Sequence, residues 1–321
     1  MSRPELEEFP LIRLGYACIN TELPAPNRTC RLKNATPEKI LELCKANLEA
    51  LQPILEWNAA HGIELFRISS DVIQFGSHPT NMVPWCRILK PQLAKLGAFI
   101  RAKRLRVSMH PGQFTVLNSP RREVVENSVK ELEYHTALLD ALEVDDSHKI
   151  VIHLGGIYED KALSLRRFID ASKDLPGRIK ARLVIENDER CYTVADALRA
   201  SKAIGVPVVF DVFHHTWNPA LAQHLVRSII GLTAKTWRKR DGRVKIHYSN
   251  QWPGQVPGTH SKTISIPKFL RFCDTIKDLD LDIMLEVKDK QRSVLKLMRS
   301  LGDRQGLLRA GRGKASLEQA A

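Results

Sequence analysis

The sequence predicts one closed (β/α)8 barrel. Short apolar runs of strand type alternate eight times with longer segments of helix type, an order that implies parallel strands joined by helical crossovers. Six of the strands end in a carboxylate or an imidazole side chain. Because functional sites in such barrels lie at the carboxyl ends of the strands, the same residues predict both the fold and the site.

Each predicted strand is a short run rich in Val, Ile and Leu, as expected for strands that are buried on both faces. The strands are expected at residues 12–18, 65–69, 106–110, 149–153, 182–186, 207–211, 243–247 and 282–286. An open doubly wound sheet is the alternative architecture. It is disfavoured because no glycine-rich phosphate-binding loop follows the first strand.

Proline after a capping residue marks three helix starts, at Thr36-Pro37, Ser119-Pro120 and Asn218-Pro219. Proline is tolerated at the first helical position, where its missing N–H is not needed. Long loops are expected after strands 1, 2, 3 and 7, and such loops commonly bind substrate. Helices are expected at residues 37–60, 85–102, 119–142, 161–172, 194–203, 218–232 and 267–277, with a last helix that ends near Leu301.

Charge is the most informative part of the composition. The 321-residue chain has 49 Lys and Arg against 36 Asp and Glu, a formal net charge of +13. A charge of this sign suggests a polyanionic partner, above all nucleic acid. Residues 11–303 are expected to form a single barrel domain, and residues 304–321 a basic, glycine-containing tail that is partly disordered.

Other features indicate the compartment. No apolar run is long enough to cross a membrane, and the first residues lack the apolar core of a signal peptide. The six cysteines are scattered and form no Cys-x-x-Cys pair, as expected in a reducing interior. We therefore expect a cytoplasmic protein without membrane association.

The side chains at the six strand ends are of metal-ligand type. A lone strand-end histidine is more often an ordinary polar group, but six such residues would crowd one barrel mouth. The three carboxylates among them would repel one another unless protonated or neutralised, and divalent cations neutralise them. Mixed imidazole and carboxylate ligands suit Mn, Zn or Fe better than Ca. The set comprises His110, His153, Glu186, Asp211, His247 and Glu286.

Further histidines lie in the loops around this mouth. His214 follows Asp211 by three residues, so both side chains can point towards neighbouring cations, whereas His215 is expected outside the ligand set. His78 lies in the loop after strand 2, and His260 lies in the long loop after strand 7. We treat His78, His214 and His260 as candidate ligands.

Alternation along strand 7 predicts that Lys245 points inwards with His247. An ammonium group beside metal ions is electrostatically costly. Three alternatives stay open: Lys245 is neutral, it pairs with a carboxylate, or it is chemically modified.

A site with more than one metal ion and an open coordination position suits attack on a phosphodiester. One ion supplies hydroxide, and others stabilise the transition-state charge and the leaving oxygen. Together with the basic charge, this chemistry makes a metal-dependent nuclease the leading functional class.

Eight runs along the chain carry a family resemblance. They are RLGYACIN (13–20), FRISSD (66–71), SMHPGQF (108–114), IHLGG (152–156), VIENDE (184–189), FDVFHH (210–215), KIHYS (245–249) and MLEVKDK (284–290). Together they resemble the UV damage endonuclease family. The resemblance implies a barrel similar to that of endonuclease IV. It also implies a metal-dependent endonuclease that nicks DNA immediately 5′ to UV photoproducts, cyclobutane dimers and 6-4 products, and so starts excision repair.

The resemblance further implies a cluster of three divalent ions, usually assigned as Mn²⁺, with Mg²⁺ or Zn²⁺ as alternatives. The implied ligands are Glu186, Asp211, His247 and Glu286 for one ion, His110, His153 and the shared Glu186 for a second, and His214 and His260 for a third.

The same resemblance assigns roles outside these ligand sets. His78 matches a site histidine, and Lys245 matches a lysine that can be carboxylated, which would turn it into an anionic ligand. The residues expected to act in catalysis are Glu186, Lys245, His247 and Glu286.

Damage recognition is expected from loop residues. Gln113 and Phe114 match a pair that members of the family push into the duplex, while both damaged bases are flipped out. The familiar partner of the glutamine is tyrosine, so Phe114 keeps the stacking ring but loses a hydroxyl hydrogen bond. Tyr16 and Asn20 of the first loop are expected beside this pair, and Trp252 could also approach DNA. Independently of the resemblance, a Gly-Gln-Phe loop tip offers an amide for base edges and a ring for stacking.

Other functions stay open on the sequence. An abasic-site endonuclease is the nearest catalytic alternative. A Mn-dependent sugar isomerase or epimerase also uses such a barrel mouth, although it needs neither the basic charge nor the loop wedge. A third alternative is a non-catalytic DNA-binding barrel with a structural metal. The expected partner is damaged double-stranded DNA, and we expect a monomer without an obligate protein partner.

Overall fold

The computed structural model describes residues 12–302. Its eight strands are β1 (Ile12–Ala17), β2 (Leu65–Arg67), β3 (Arg106–Ser108), β4 (Ile150–His153), β5 (Leu183–Glu186), β6 (Val208–Asp211), β7 (Lys245–Tyr248) and β8 (Leu281–Leu285). Neighbouring strands are hydrogen-bonded in the order β3-β2-β1-β8-β7-β6-β5-β4, and the pairs are parallel.

The sheet closes on itself between β3 and β4. Met109, which follows β3, pairs in parallel with Ile150 of β4. The Met109 amide donates to the Lys149 carbonyl, and the Met109 carbonyl accepts from the Val151 amide, each at 2.9 Å. Every strand thus has two neighbours, and the predicted (β/α)8 barrel is confirmed.

Helices pack around the outside of the barrel. Thr36 caps α1 as predicted, because its side chain accepts a hydrogen bond from the Lys39 amide. The helices are α1 (Pro37–Ala60), α2 (Trp85–Ile88), α3 (Lys90–Ala102), α4 (Arg122–Ala141), α5 (Lys161–Lys173), α6 (Gly177–Arg182), α7 (Val194–Ile204), α8 (Val212–Trp217), α9 (Val226–Ala234) and α10 (Ile266–Thr275). Residues 291–302 form a further helix up to the end of the described chain.

The helix predicted to begin at Asn218-Pro219 is wrong. Helix α8 instead begins directly after β6 and ends before Asn218, and residues 218–225 are not helical. The early start has a local cause: Asp211, the last residue of β6, accepts a 2.7 Å hydrogen bond from the His214 amide and so caps α8. A candidate metal ligand therefore also serves as a helix cap.

The helix predicted over residues 85–102 is divided at Leu89 into α2 and α3. Pro91 lies in the first turn of α3, where it cannot donate a backbone hydrogen bond to the preceding turn. The short α6 was not predicted at all, because its six residues are too few to show a helical period.

Strand residues alternate between two apolar regions. Ile185 of β5 belongs to the large core that includes residues of the surrounding helices. Its neighbour Val184 packs in a separate small cluster with Val151 and Val209. Glu186 lies two residues beyond Val184 and so points to the same side of the sheet, which is the barrel interior.

A buried ion network fills the opposite, amino-terminal end of the barrel. Asp282 of β8 is fully buried and accepts hydrogen bonds from Arg13 Nε at 2.7 Å and Arg106 Nη1 at 2.6 Å. Burial alone would raise the pKa of Asp282, but the two guanidinium groups outweigh it and lower the pKa. The charged side chains at the amino-terminal end are therefore paired with one another, whereas the candidate metal ligands lie at the carboxyl end.

The predicted tail at residues 304–321 lies outside the described residues, so the proposed domain division stays a prediction. Among the helices of residues 12–302, none combines the length and the apolar character needed to cross a membrane.

Two buried histidines predict that the barrel loses stability in mild acid. Burial lowers the pKa of His135 and of His148 to about 4. An unfolded histidine titrates near 6.5, so between these values the unfolded chain binds more protons than the folded chain. The free energy of unfolding therefore falls as the pH falls through this window.

His148→Asn should remove the contribution of His148 to this fall in the free energy of unfolding, which is on the order of 2 kcal/mol between about pH 7 and pH 5. Asparagine keeps an acceptor for the Val107 amide, which His148 Nδ1 binds at 3.1 Å. Urea unfolding at the two pH values measures the effect. His61→Asn, at the exposed end of α1, is the control and should follow the unmodified protein. An unchanged pH dependence in His148→Asn would contradict the assignment.

Candidate metal centre

The strand register brings the predicted ligands side by side at the carboxyl end of the barrel. His153 of β4 lies opposite Glu186 of β5, and Asp211 of β6 lies opposite His247 of β7. Glu286 directly follows β8, and His110 follows β3 by two residues. The six strand-end side chains therefore surround one mouth.

Glu186 lies at the centre of this group and is fully buried. Its Oε2 atom is 3.1 Å from His110 Nε2 and 3.8 Å from His153 Nε2. Its Oε1 atom is 2.6 Å from His247 Nδ1. Burial alone would raise the pKa of Glu186, but His247 and His153 hold it well below its ordinary value. Glu186 is thus a carboxylate whose two oxygens face different histidines.

Within residues 12–302, two sets of three side chains can hold a cation, and Glu186 belongs to both. The first set is His110, His153 and Glu186, and the second is Glu186, Asp211 and His247. Within each set the ligand atoms lie within 4.8 Å of one another. Asp211 Oδ2 is buried and has no hydrogen-bond partner within residues 12–302, as expected of a free ligand atom. Imidazole nitrogens with carboxylate oxygens fit a divalent transition metal.

Glu286 extends the second set and is oriented by an arginine that was not predicted. Glu286 Oε1 lies 3.3 Å from His247 Nδ1 and is ion-paired with Arg67. Arg67 Nη2 also lies 3.3 Å from His247 Nε2. Burial would raise the pKa of Glu286, but Arg67 holds it well below its ordinary value. Arg67 is the last residue of β2, so an inspection of the strand ends that included cationic side chains would have identified it.

His214 and His260 also lie together, and their role as ligands of a third ion stays a prediction. Their ring centres are 5.7 Å apart. His260 Nδ1 donates to the Glu286 carbonyl at 2.8 Å, and His260 Nε2 lies 3.8 Å from Glu286 Oε2. Glu189, which was not assigned a role, contributes a carboxylate 3.8 Å from His214 Nε2.

The carboxylates around Asp211 are close enough to disturb its ionisation. Burial, together with Glu186 and Glu286, raises the pKa of Asp211 to about 7, although His214 opposes the shift. Burial would lower the pKa of His214, but Asp211 and Glu186 outweigh it and raise the pKa to about 9. Such crowding of negative charge is what bound divalent cations relieve.

Asn187 fixes the ends of β5 and β6 relative to one another. Its amide nitrogen donates to the Asp211 carbonyl at 3.0 Å, and its amide oxygen accepts from the Asp211 amide at 2.9 Å. The Asn187 carbonyl also accepts from His214 Nδ1 at 3.0 Å. Sequence reasoning missed this residue because its role depends on which strands are neighbours.

Lys245 is fully buried, and its Nζ atom has no hydrogen-bond partner in the described part of the chain. Burial, with Arg106 and Arg67 nearby, lowers the pKa of Lys245 well below its ordinary value. Asp282 attracts it but is already bound by Arg13 and Arg106. A direct pair between Lys245 and a carboxylate is therefore not seen among residues 12–302, which leaves a neutral amine or a modified one.

The structure does not bring His78 into the cluster. His78 is exposed, and its Nδ1 atom accepts from the Thr80 amide at 3.1 Å. Its role as a ligand stays a prediction. His215 is half-buried with its ring 5.2 Å from that of Phe210, outside both three-residue sets.

The residues expected to contact a lesion divide into two groups. Gln113 and Phe114 are exposed, and Phe114 has 72% of its surface accessible. Tyr16 and Asn20 are buried, with Asn20 Nδ2 3.3 Å from the Tyr16 hydroxyl, which in turn donates to Asn58 Oδ1 at 2.6 Å. Direct lesion contact by Tyr16 and Asn20 stays a prediction, and in this structure both side chains are closed off from solvent.

A cavity of about 190 Å³ opens beside the candidate metal centre, between the loops that follow β3, β4 and β5. His110 and His153 form part of its wall, and Gln113 lies at the same wall. The cavity thus connects the buried ligands with the exposed loop tip. Together these features define a (β/α)8 barrel with a multi-ligand centre at its carboxyl end.

The chain belongs to the UV-endonuclease UvdE family, whose family model matches residues 12–316. A relative named UV DNA damage endonuclease, from Clostridium perfringens, is 44% identical over 292 residues, which cover 90% of this chain and 71% of the relative. A putative UV-damage endonuclease from Acanthamoeba polyphaga mimivirus is 36% identical over 304 residues, which cover 89% of this chain and 90% of the relative. The predicted family is confirmed.

One solved structure agrees with this assignment, and two more distant ones share the fold. The crystal structure of SacUVDE has a TM-score of 0.87 and 41% identity, and the match covers 92% of this chain and 99% of that one. Endonuclease IV from Thermus thermophilus has a TM-score of 0.53 at 15% identity, and the match covers 79% of this chain and 95% of that one. D-psicose 3-epimerase from Clostridium cellulolyticum has a TM-score of 0.51 at 15% identity, covering 74% of this chain and 79% of that one. The last two share the fold alone.

The shared position of Glu186 predicts how metal binding responds to substitution. Glu186→Gln should abolish binding at both three-residue sets, whereas His153→Ala should remove only the first set and leave Glu186, Asp211 and His247. Calorimetric titration with Mn²⁺ measures the stoichiometry, and circular dichroism checks the fold. Glu56→Gln, on the exposed surface of α1, is the control. Unchanged stoichiometry in Glu186→Gln would show that the carboxylate is not shared.

Proposed function

We propose that this protein is a metal-dependent endonuclease that nicks duplex DNA immediately 5′ to UV photoproducts, both cyclobutane dimers and 6-4 products, and so starts excision repair. The observation that carries the proposal is the buried Glu186 carboxylate, shared by two potential metal sites at the mouth of a barrel of this family. The net charge of +13 supports a polyanionic substrate.

The proposed cofactor is a cluster of three divalent ions, with Mn²⁺ as the best match and Mg²⁺ or Zn²⁺ as alternatives. Ions held there would supply Lewis-acid activation for hydrolysis of the phosphodiester, leaving a 3′-hydroxyl on the upstream strand. The residues proposed to hold them are Glu186, Asp211, His247 and Glu286 for one ion, His110, His153 and Glu186 for a second, and His214 and His260 for a third.

The protein groups keep this centre in one geometry. Arg67 contacts both Glu286 and His247, so it fixes their orientation and compensates part of their charge. Asn187 holds the backbone of Asp211, and one carboxylate oxygen of Asp211 is buried without a hydrogen-bond partner within residues 12–302. Preorganisation of this kind lowers the cost of placing ligands and substrate at the moment of reaction.

We propose that Lys245 is carboxylated. A buried amine with a lowered pKa is the neutral nucleophile that can attack CO₂, forming an N–C bond and releasing one proton. The product is a carbamate anion, which would be attracted by Arg106 and Arg67, whereas an ammonium group is repelled by them. The anion would also serve as a further ligand in place of a lysine ammonium group.

Mass spectrometry of the intact protein tests this modification. In bicarbonate-containing buffer at mildly alkaline pH we expect an added mass of one CO₂ that disappears in acid, because carbamates then lose CO₂. Lys245→Ala should never show it, and Lys149→Ala should retain it, since Lys149 is bound by Asp241 at 2.5 Å. An unmodified chain in bicarbonate and Mn²⁺, with full activity, would contradict the proposal.

Recognition of damage is proposed to use Gln113 and Phe114. The exposed Phe114 ring would replace the stacking of the displaced bases, and the Gln113 amide would contact the exposed base edges. Photoproducts stack and pair weakly, so flipping them costs less than flipping intact bases. The cavity next to Gln113 offers space beside the candidate metal centre for the displaced group.

Incision of a duplex that carries one defined photoproduct tests the proposed function. In Mn²⁺ we expect a single nick 5′ to the lesion and none in the undamaged duplex. Phe114→Ala should weaken lesion binding by about 1–3 kcal/mol, the range for one stacked base, and Phe114→Tyr should retain it. Glu56→Gln, on the exposed surface of α1, is the control.

The same assay separates the alternatives. Equal or faster cutting of an abasic duplex would favour an abasic-site endonuclease. The salt dependence of DNA affinity separates the nuclease from a sugar epimerase, because neutralisation of phosphates makes DNA affinity fall steeply with salt. A DNA affinity that does not change with salt would favour the epimerase. The proposed state is a monomer without an obligate protein partner. The DNA substrate supports a cytoplasmic location.

A further inference from the structure

The loop after β7 forms a hairpin, and His260 at its base is the one residue of it with a role in the proposed function. Gln251 and His260 pair as an antiparallel bridge at its base, and the Trp252 amide donates to the Thr259 carbonyl at 2.8 Å. Residues 253–257 at its tip are exposed, and Val256 has 68% of its surface accessible. We call residues 251–260 the β7 hairpin.

One side chain holds the tip of the β7 hairpin in shape. The Gln251 amide nitrogen lies 3.0–3.1 Å from the carbonyl oxygens of Trp252, Gln255 and Val256. The Gln251 amide oxygen accepts from the Gly258 amide at 2.9 Å. An exposed tip that is already ordered loses little conformational freedom when it binds a partner.

The base of the β7 hairpin belongs to the candidate metal centre. His260 contacts Glu286 through its Nδ1 atom, as described above. Gly258 has a φ of +86°, and a side chain added there would come within 3.1 Å of Glu189 Cγ. Gly258 therefore allows the hairpin to lie directly against Glu189, which neighbours His214. The tip is thus attached rigidly beside the centre.

The β7 hairpin stands across the barrel mouth from Phe114. Phe114 is in the loop after β3, and β3 and β7 are four strands apart in a closed ring of eight, so they lie on opposite sides. Both loops therefore present an exposed apolar side chain, and the candidate metal centre lies between them.

The chemistry of the β7 hairpin indicates what it contacts. Residues 251–259 carry no charge, and the tip combines Val256 with Pro253 and Pro257. Exposed Lys262 and Lys288 lie at its base, where the Lys288 amide donates to the Ser261 carbonyl at 3.1 Å. An uncharged apolar tip with cations behind it suits a nucleic-acid groove, where the tip enters between the strands and the lysines meet phosphates.

We propose that the β7 hairpin is a second duplex-binding element, which enters the minor groove on the side of the lesion opposite to Phe114. The inference rests on the proposed function. Two wedges on opposite sides of the mouth would hold the duplex over the metal centre and favour a bend between them, because each insertion unstacks a base step. The hairpin contributes affinity for the duplex rather than reading the damage.

Single-turnover incision of a photoproduct duplex in Mn²⁺ tests the second element. Val256→Asp should lower kcat/KM roughly tenfold by placing a negative charge against DNA, with little change in the rate at saturating enzyme. Gln251→Ala should act in the same direction by releasing the tip. Ala102→Asp, which adds the same charge at the exposed end of α3 and the opposite face of the barrel, should behave as the unmodified protein.

Trimming the duplex provides the decisive comparison. When one flank is shortened to a few base pairs from the lesion, the Val256→Asp defect should disappear, whereas trimming the other flank should leave it intact. The Phe114→Ala defect should persist on both trimmed duplexes. If Val256→Asp incises the full duplex at the control rate while the unmodified protein incises normally, the proposal for the β7 hairpin is overturned and the proposed function stands. If the unmodified protein does not incise the photoproduct duplex, both the proposed function and the duplex-binding role of the β7 hairpin are overturned.

Discussion

The structure depends on one buried carboxylate. Glu186 ends β5 in the interior of the barrel, where His110 approaches one oxygen and His247 the other. A buried carboxylate without partners would be strongly destabilising, so these imidazoles are needed for the fold as well as for the chemistry. Since they come from β3 and β7, on opposite sides of the ring, Glu186 also ties the two halves of the mouth together.

Charged side chains are arranged differently at the two ends of the barrel. At the amino-terminal end, Asp282 is matched by Arg13 and Arg106, and the network is closed. At the carboxyl end, carboxylates outnumber their cations, and Asp211 keeps a buried oxygen without a hydrogen bond within residues 12–302. Lys245 lies between the two regions. The excess of negative charge at only one end is what confines cation binding to the mouth.

Much of the fold and of the centre could be predicted because both follow from strand ends. Parallel strands in register place their last residues at one level, so the convergence of His153, Glu186 and Asp211 needed only the order of elements. Residues whose role depends on a neighbour in space were missed. Asn187 acts through the adjacent strand, and Arg67 was overlooked because only ligand types were considered at strand ends.

Loops were the least predictable part for the same reason. The capping of α8 by Asp211 could not be seen while that residue was regarded only as a ligand, so the next helix was placed too late. The buried position of Tyr16 depends on Asn58 of α1, far away in the sequence. By contrast, the exposure of Phe114 agrees with the simple expectation for a polar-flanked loop tip at a barrel mouth.

A crystal structure of the protein grown with Mn²⁺, with anomalous diffraction recorded at the manganese edge, would show whether two ions share the Glu186 carboxylate. We expect at least two anomalous peaks at the carboxyl end of the barrel, each within coordination distance of one Glu186 oxygen. A single peak, or peaks that Glu186 does not contact, would contradict the shared carboxylate on which the proposed chemistry depends.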